Sequence, residues 1–141
     1  MQMKNSSLKD IKIIEIPKIV DEEGRGKLSV VEKDLIPFAI KRVYYLYDVP
    51  SDAYRGGHAH KELMQFMIPL SGSFDVVLDD GKERQRIMLN KPNKGLLIPT
   101  GIWRELENFS SGSVCLVLAS HEFNEADYIW EYEHFVDLKN N

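Results

Sequence analysis

The chain has 141 residues, of which 43% are hydrophobic, 28% charged and 10% aromatic, and 18 Lys and Arg stand against 22 Asp and Glu for a net charge of −4. This is the profile of one globular domain with enough chain to bury a core, and it excludes a disordered or fibrous protein. Mild acidity without a basic cluster argues against nucleic-acid binding, and a lone cysteine, Cys115, rules out an intramolecular disulfide framework or a thiolate zinc site.

Residues 1–10 carry Lys4, Lys9 and Asp10 and no apolar stretch, so no secretory leader is expected. No apolar run approaches the roughly 20 residues needed to cross a bilayer, and a cytoplasmic protein is expected. From there the sequence predicts short strands rich in β-branched and aromatic residues, set off by turn residues. They fall at 12–16, 27–32 (after a Gly24–Gly26 turn), 39–48, 64–70, 73–78, 84–89, 95–99, 103–107 and 114–120. Asp79-Asp80-Gly81 between two of them is a hairpin signal, because Asp-Gly readily adopts the positive φ that tight turns need. Only the end reads as helical, with Asn124 as N-cap, Asp127 at the third helical position, and Tyr128, Tyr132 and Phe135 on one face. About nine strands and one terminal helix predict a single all-β domain over 1–141, an antiparallel sandwich or barrel.

Within that frame His58-Ala59-His60 carries the first chemical information. Residues i and i+2 of a strand project to the same face, so both imidazoles enter one cavity. Four residues separate His60 from Gln65, and six separate Gln65 from Gly72. Later, Gly95, Pro99, Gly101, Arg104 and Asn108 follow the spacing G-x3-P-x-G-x2-R-x3-N. These two stretches resemble the paired motifs of the cupin superfamily, whose fold is a small double-stranded β-helix or jelly-roll barrel. In metal-binding cupins the first motif supplies two histidines and a glutamate, and the second a third histidine. Here Gln65 stands for the glutamate and Arg104 for the third histidine. Glutamine is a weak neutral ligand and arginine a permanent cation, so no metal and no other cofactor is expected.

The likeness narrows further. Arg55-Gly56-Gly57-His58-Ala59-His60-Lys61 with Gln65, the segment Ile36-Pro37-Phe38-Ala39-Ile40-Lys41-Arg42-Val43-Tyr44-Tyr45, and Asp127-Tyr128-Ile129 followed by Tyr132 resemble the nucleotide-sugar 3,4-ketoisomerases. Trp130 departs from that pattern, which carries an arginine there, and no role is assigned to it. The resemblance implies an isomerase acting on dTDP-4-oxo-6-deoxyglucose, a homodimer that exchanges N-terminal strands, and a pathway toward 3-amino-3,6-dideoxyhexoses of surface polysaccharides. The chemistry assigns His58 as the base that removes the C3 proton, with His60 as its partner, and the reverse assignment stays open. Tyr45 is the expected acid or oxyanion donor. Arg55, Arg104 and Arg25 are expected to bind substrate oxygens, and Gln65 to orient an imidazole or bond a hydroxyl. Two other readings stay open at this point: a metal-dependent cupin oxygenase completed by Glu62 or Glu105, and a sugar-binding cupin without catalysis. A 3,5-epimerase would need a His–Asp dyad, which the spacing does not reveal.

Overall fold

The computed structural model describes residues 3–141. Twelve strands and one helix follow in chain order: β1 Lys12–Glu15, β2 Lys18–Val20, β3 Lys27–Ser29, β4 Arg42–Leu46, β5 Arg55–His60, β6 Gln65–Ser71, β7 Phe74–Asp79, β8 Arg84–Leu89, β9 Lys94–Ile98, β10 Trp103–Glu107, β11 Val114–Ala119, β12 Tyr128–Ile129 and α1 Tyr132–Asn140. They build two five-stranded antiparallel sheets, β1-β9-β6-β11-β4 and β12-β5-β10-β7-β8, with β2 and β3 as a separate ribbon.

Alternation along the strands sorts the apolar side chains into three layers of core. Between the sheets lie Phe74, Val76 and Leu78 of β7, Leu96 and Ile98 of β9, and Val117 of β11, all fully buried. Burying each such side chain stabilises the fold by about 1.5–3 kcal/mol. Behind the first sheet, Phe66, Ile68, Leu97 and Leu118 pack against Ile16, Ile36 and Phe38 of the N-terminal segment. Behind the second, Ala59, Trp103 and Ile129 are covered by Phe135 of α1. The first sheet is thus apolar on both faces, which explains why its strands read as nearly continuous hydrophobic runs.

The expected hairpin forms as written. Gly81 has φ +93°, and the Asp80 carboxylate accepts the backbone N–H groups of Lys82 and Glu83 at 2.9 and 2.8 Å. Three expectations need correction. β2 was not foreseen, and residues 27–32 contribute only β3 to the ribbon. The expected strand 39–48 shortens to β4 and is followed by Asp48, whose φ of +54° turns the chain. The terminal helix does not start at Asn124. That side chain caps a single 3-10 turn, Glu125–Asp127, by accepting Ala126 N–H, and Tyr128 and Ile129 then extend to pair with His60 and Ala59. Sheet pairing overrides the helical spacing, and α1 begins only at Tyr132. β1 pairs with β9 of its own chain, Ile14 opposite Gly95, so the element left without a sheet is the β2–β3 ribbon.

Candidate active site

The candidate site is built on β5 and its neighbours. In β5, Ala59 turns outward into the α1 layer while His58 and His60 turn inward, as their spacing predicted. The two imidazoles meet edge to face, with centroids 4.9 Å apart and planes at 87°. On one side β10 places Arg104 opposite His58, and on the other β12 places Tyr128 opposite His60. The β5–β10 register slips between Arg104 and Leu106, where Gly56 has φ +97° and a Cβ would meet the Arg104 carbonyl at 3.3 Å. Glycine is required there, and the bulge re-aims Arg55 and His58 relative to each other.

A cavity of about 300 Å³ opens beside these residues, lined by Arg42, Tyr44, Leu46, Arg55, Gly56, His58, Leu106, Tyr128 and Trp130. His58 reaches the cavity and His60 is fully buried beside it. Burial, and then the nearby Arg104 cation, push the His58 imidazole down to about 3. The same forces, in the same order, followed by His58 and Arg42, hold His60 well below the ordinary histidine range. Both rings are therefore neutral at physiological pH, and the Nε2 atoms of both are buried without a hydrogen-bond partner.

Arg104 is 1% exposed, and its guanidinium sits inside the barrel rather than on the cavity wall. It donates twice to the Ile102 carbonyl, at 3.2 and 3.0 Å, and once to Gln65 Oε1. Because a guanidinium only donates, Gln65 must turn its oxygen to Arg104 and its amide nitrogen the other way. That nitrogen donates to the Tyr44 hydroxyl oxygen at 2.9 Å. The tyrosine oxygen is thus an acceptor from Gln65, and its own proton is free to point at a ligand. Burial raises the Tyr44 hydroxyl above its ordinary value, with Arg104 pulling the other way, so it remains protonated. Burial also lowers Arg104, to about 10, which leaves it charged at neutral pH.

The donor set does not suit a divalent ion. Gln65 Oε1 is taken by a cation, and that cation occupies the interior beside both imidazoles. The carboxylates weighed as replacements are elsewhere. Glu105 alternates with Arg104 on β10 and bonds Trp103 Nε1 at 2.8 Å, while Glu62 is exposed and lines a separate surface cleft with His121 and Phe123. Among the described residues no cluster of three metal-ligating side chains occurs.

The structure brings together His58, His60, Gln65, Arg104 and, on the cavity wall, Arg55. It separates two expected residues from them. Tyr45 is 59% exposed on the outer side of β4, and Tyr44 takes the inward place. Arg25 lies on the β2–β3 ribbon, paired with Asp21 at 2.8 Å, and contributes nothing to this cavity. Four participants escaped the sequence reading. Arg42 lies over the Tyr44 ring at 4.6 Å, Tyr128 packs on His60 at 4.3 Å, and Trp130 stacks on Tyr128 at 4.7 Å and 11°. The fourth is Asp127, whose Oδ2 lies 3.0 Å from His60 Nδ1, a His–Asp pair that no spacing announces. The motif Asp127-Tyr128-Ile129 was a signal for two of these four, Asp127 and Tyr128, but it was read as helix.

Fold and site together define a cupin-like barrel whose interior holds paired neutral imidazoles and a buried guanidinium. The chain belongs to the family described as "FdtA: WxcM-like, C-terminal", whose model matches residues 9–140. It is 46% identical over 125 residues, 88% of each chain, to a TDP-4-oxo-6-deoxy-alpha-D-glucose-3,4-oxoisomerase of Aneurinibacillus thermoaerophilus. Among solved structures, a 3,4-ketoisomerase of Helicobacter canadensis is 47% identical with a TM-score of 0.89, covering 94% of this chain and 98% of that one. A sugar 3,4-ketoisomerase of Thermoanaerobacterium thermosaccharolyticum in complex with TDP is 41% identical with a TM-score of 0.90, covering 95% and 97%. A variant of that enzyme has been solved with TDP-4-keto-6-deoxyglucose.

Proposed function

We propose that this protein is a cytoplasmic nucleotide-sugar 3,4-ketoisomerase, one cupin domain that converts dTDP-4-oxo-6-deoxyglucose to a dTDP-3-oxo-6-deoxyhexose. The observation that carries the reading is the pairing, on one cavity, of an unprotonated imidazole with a phenol whose proton is directed outward by Gln65.

Two protons move in such a reaction. His58 takes the C3 proton, the C–H electron pair becomes the C3–C4 double bond of an enediolate, and the carbonyl electrons settle on O4. A proton then returns at C4 while the O3 proton is released and O4 gains one, so the carbonyl reappears at C3 without net oxidation. Tyr44, rather than Tyr45, is the donor to the developing O4 anion, and as the enediolate resolves it passes a proton between the adjacent oxygens. Arg104 acts from behind, through Gln65, by keeping the Tyr44 dipole aimed at the cavity and by its positive field on the enediolate. Arg55 and Arg42 supply forked donors at the cavity mouth suited to diphosphate oxygens. Trp130, 56% exposed beside His58, offers a flat apolar face for the base or the sugar.

The test mixes purified protein, EDTA and dTDP-4-oxo-6-deoxyglucose in D2O and follows the sugar by proton NMR. A 3-oxo product carrying deuterium at C4 is expected, with its coupling pattern naming the C4 epimer, and His58→Asn abolishes it. Sugar that is untouched under chelation and consumed once iron or manganese is restored overturns the assignment.

A further inference from the structure

Asp127 touches four consecutive residues at the end of β5. Its backbone carbonyl accepts Lys61 N–H at 3.0 Å, its Oδ1 accepts Glu62 N–H at 2.7 Å, and its Oδ2 accepts Leu63 N–H at 3.3 Å and lies 3.0 Å from His60 Nδ1. With both oxygens engaged by backbone donors on one loop, the carboxylate has no freedom to rotate. It accepts and does not donate, so the proton on the contact with His60 belongs to Nδ1. The lone pair of that ring is then on Nε2, which is fully buried, unpartnered and next to the His58 ring.

We infer that Asp127 is a positioning residue for the isomerisation: it holds His60 in the Nδ1–H tautomer, so that the bare Nε2 lone pair is left buried and unpartnered on the ring beside His58. The inference rests on the reading of His58 as the base. When His58 takes the carbon proton it becomes a cation close to the buried Arg104 guanidinium. A neutral acceptor on the neighbouring ring stabilises that cation. The opposite tautomer puts a donor N–H on the ring beside the imidazolium in place of a lone pair and opposes the transfer. The Asp127 carboxylate, one ring further back, adds a compensating negative charge. The same logic makes a buried carboxylate behind an imidazole decisive in hydrolytic triads, where its role is to fix tautomer and orientation.

The contact also clamps the 60–63 loop, so the experiment must separate positioning from folding. The tautomer of His60 is read by nitrogen-15 NMR of the free wild-type protein, which needs no substrate and so stands apart from any failure of the ketoisomerase reading. The expected spectrum shows protonated Nδ1 and bare Nε2; a protonated Nε2 overturns the inference. In Asp127→Asn, Oδ1 still accepts from Glu62 while an amide N–H faces His60 and forces the other tautomer. The expected kinetics are a fall in kcat of about 10–100-fold, the scale seen when a supporting carboxylate behind a functional histidine is lost, with KM within about threefold. Wild-type kcat in a folded Asp127→Asn protein overturns the inference, and if that variant does not fold the wild-type tautomer alone decides it.

Discussion

At the scale of single residues, the site depends on the direction of each hydrogen bond. The chain Arg104 to Gln65 to Tyr44 runs one way only, because its first member cannot accept. Tyr44→Phe therefore removes the donor to the developing oxyanion, and kcat should fall by about 100-fold or more, the usual loss for one such donor. Tyr45→Phe, on the opposite side of β4, should stay within about twofold in the same assay. Equal losses in the two variants would return the acid to Tyr45. The depressed His58 makes a second prediction. Its ordinary value of 6.5 falls to about 3 through burial and Arg104, so the base is already free of its proton well below neutrality. The acid limb of kcat/KM, which reports the free enzyme, should lie clearly below pH 6.5, and a limb at 6.5 or above would mean that the base is another group.

At the scale of elements, glycines and pairing decide where the site residues stand. Gly95 on β9 belongs to the spacing pattern that first suggested the fold, and its reason is steric: a Cβ there would lie 2.2 Å from Cζ of Phe66. Phe66 is fully buried in the layer between the first sheet and the N-terminal segment, so it has no room to retreat. Gly95→Ala should destabilise the protein by about 1–3 kcal/mol, measured by urea unfolding, and an unchanged midpoint would show that the ring moves freely. The other element that matters is α1. Its Lys139 Nζ donates to the carbonyls of Met3, Ser6 and Gly101, and Gly101 N–H in turn donates to the His60 carbonyl at 2.8 Å. The last helix, the first residues and the end of the His58–His60 strand are thereby tied to one ammonium group, though the sequence showed α1 only as an amphipathic tail.

At the scale of the molecule, β4 presents its apolar residues to the wrong side for a lone chain. Val43 and Tyr45 are 55% and 59% exposed on the edge strand of the first sheet, and Tyr47, just beyond its end, is 62% exposed. The β2–β3 ribbon exposes Ile19, Val20 and Leu28 as well, and a two-stranded ribbon is marginal on its own. Both features support the homodimer proposed from the family resemblance, with a second copy covering this edge. The native chain should elute at twice its monomer mass in light-scattering chromatography, and Val43→Asp with Tyr45→Arg should halve that mass. A native chain running as a monomer defeats the proposal.

The same edge shows what was legible in the sequence and what was not. Strand periodicity, the Asp-Gly hairpin and the His58–His60 spacing are local properties, set by φ preferences and the two-residue period of a strand, and they suffice for an antiparallel sandwich or barrel and the paired imidazoles; the family rests on the resemblance of the motifs. Gln65 and Arg104 were identifiable as departures from a metal site through that same resemblance. Which of Tyr44 and Tyr45 faces inward was not, because the outer face of β4 is as apolar as the inner one and alternation loses its meaning when both faces are buried or destined to be covered. Asp127 and Tyr128 were misplaced because their spacing also fits a helix, and only pairing with β5, some 67 residues away in the chain, made them strand neighbours of His60. Motif spacing singled out His58, His60, Gln65 and Arg104; long-range pairing decided which way they point, which neighbours join them and what holds them there.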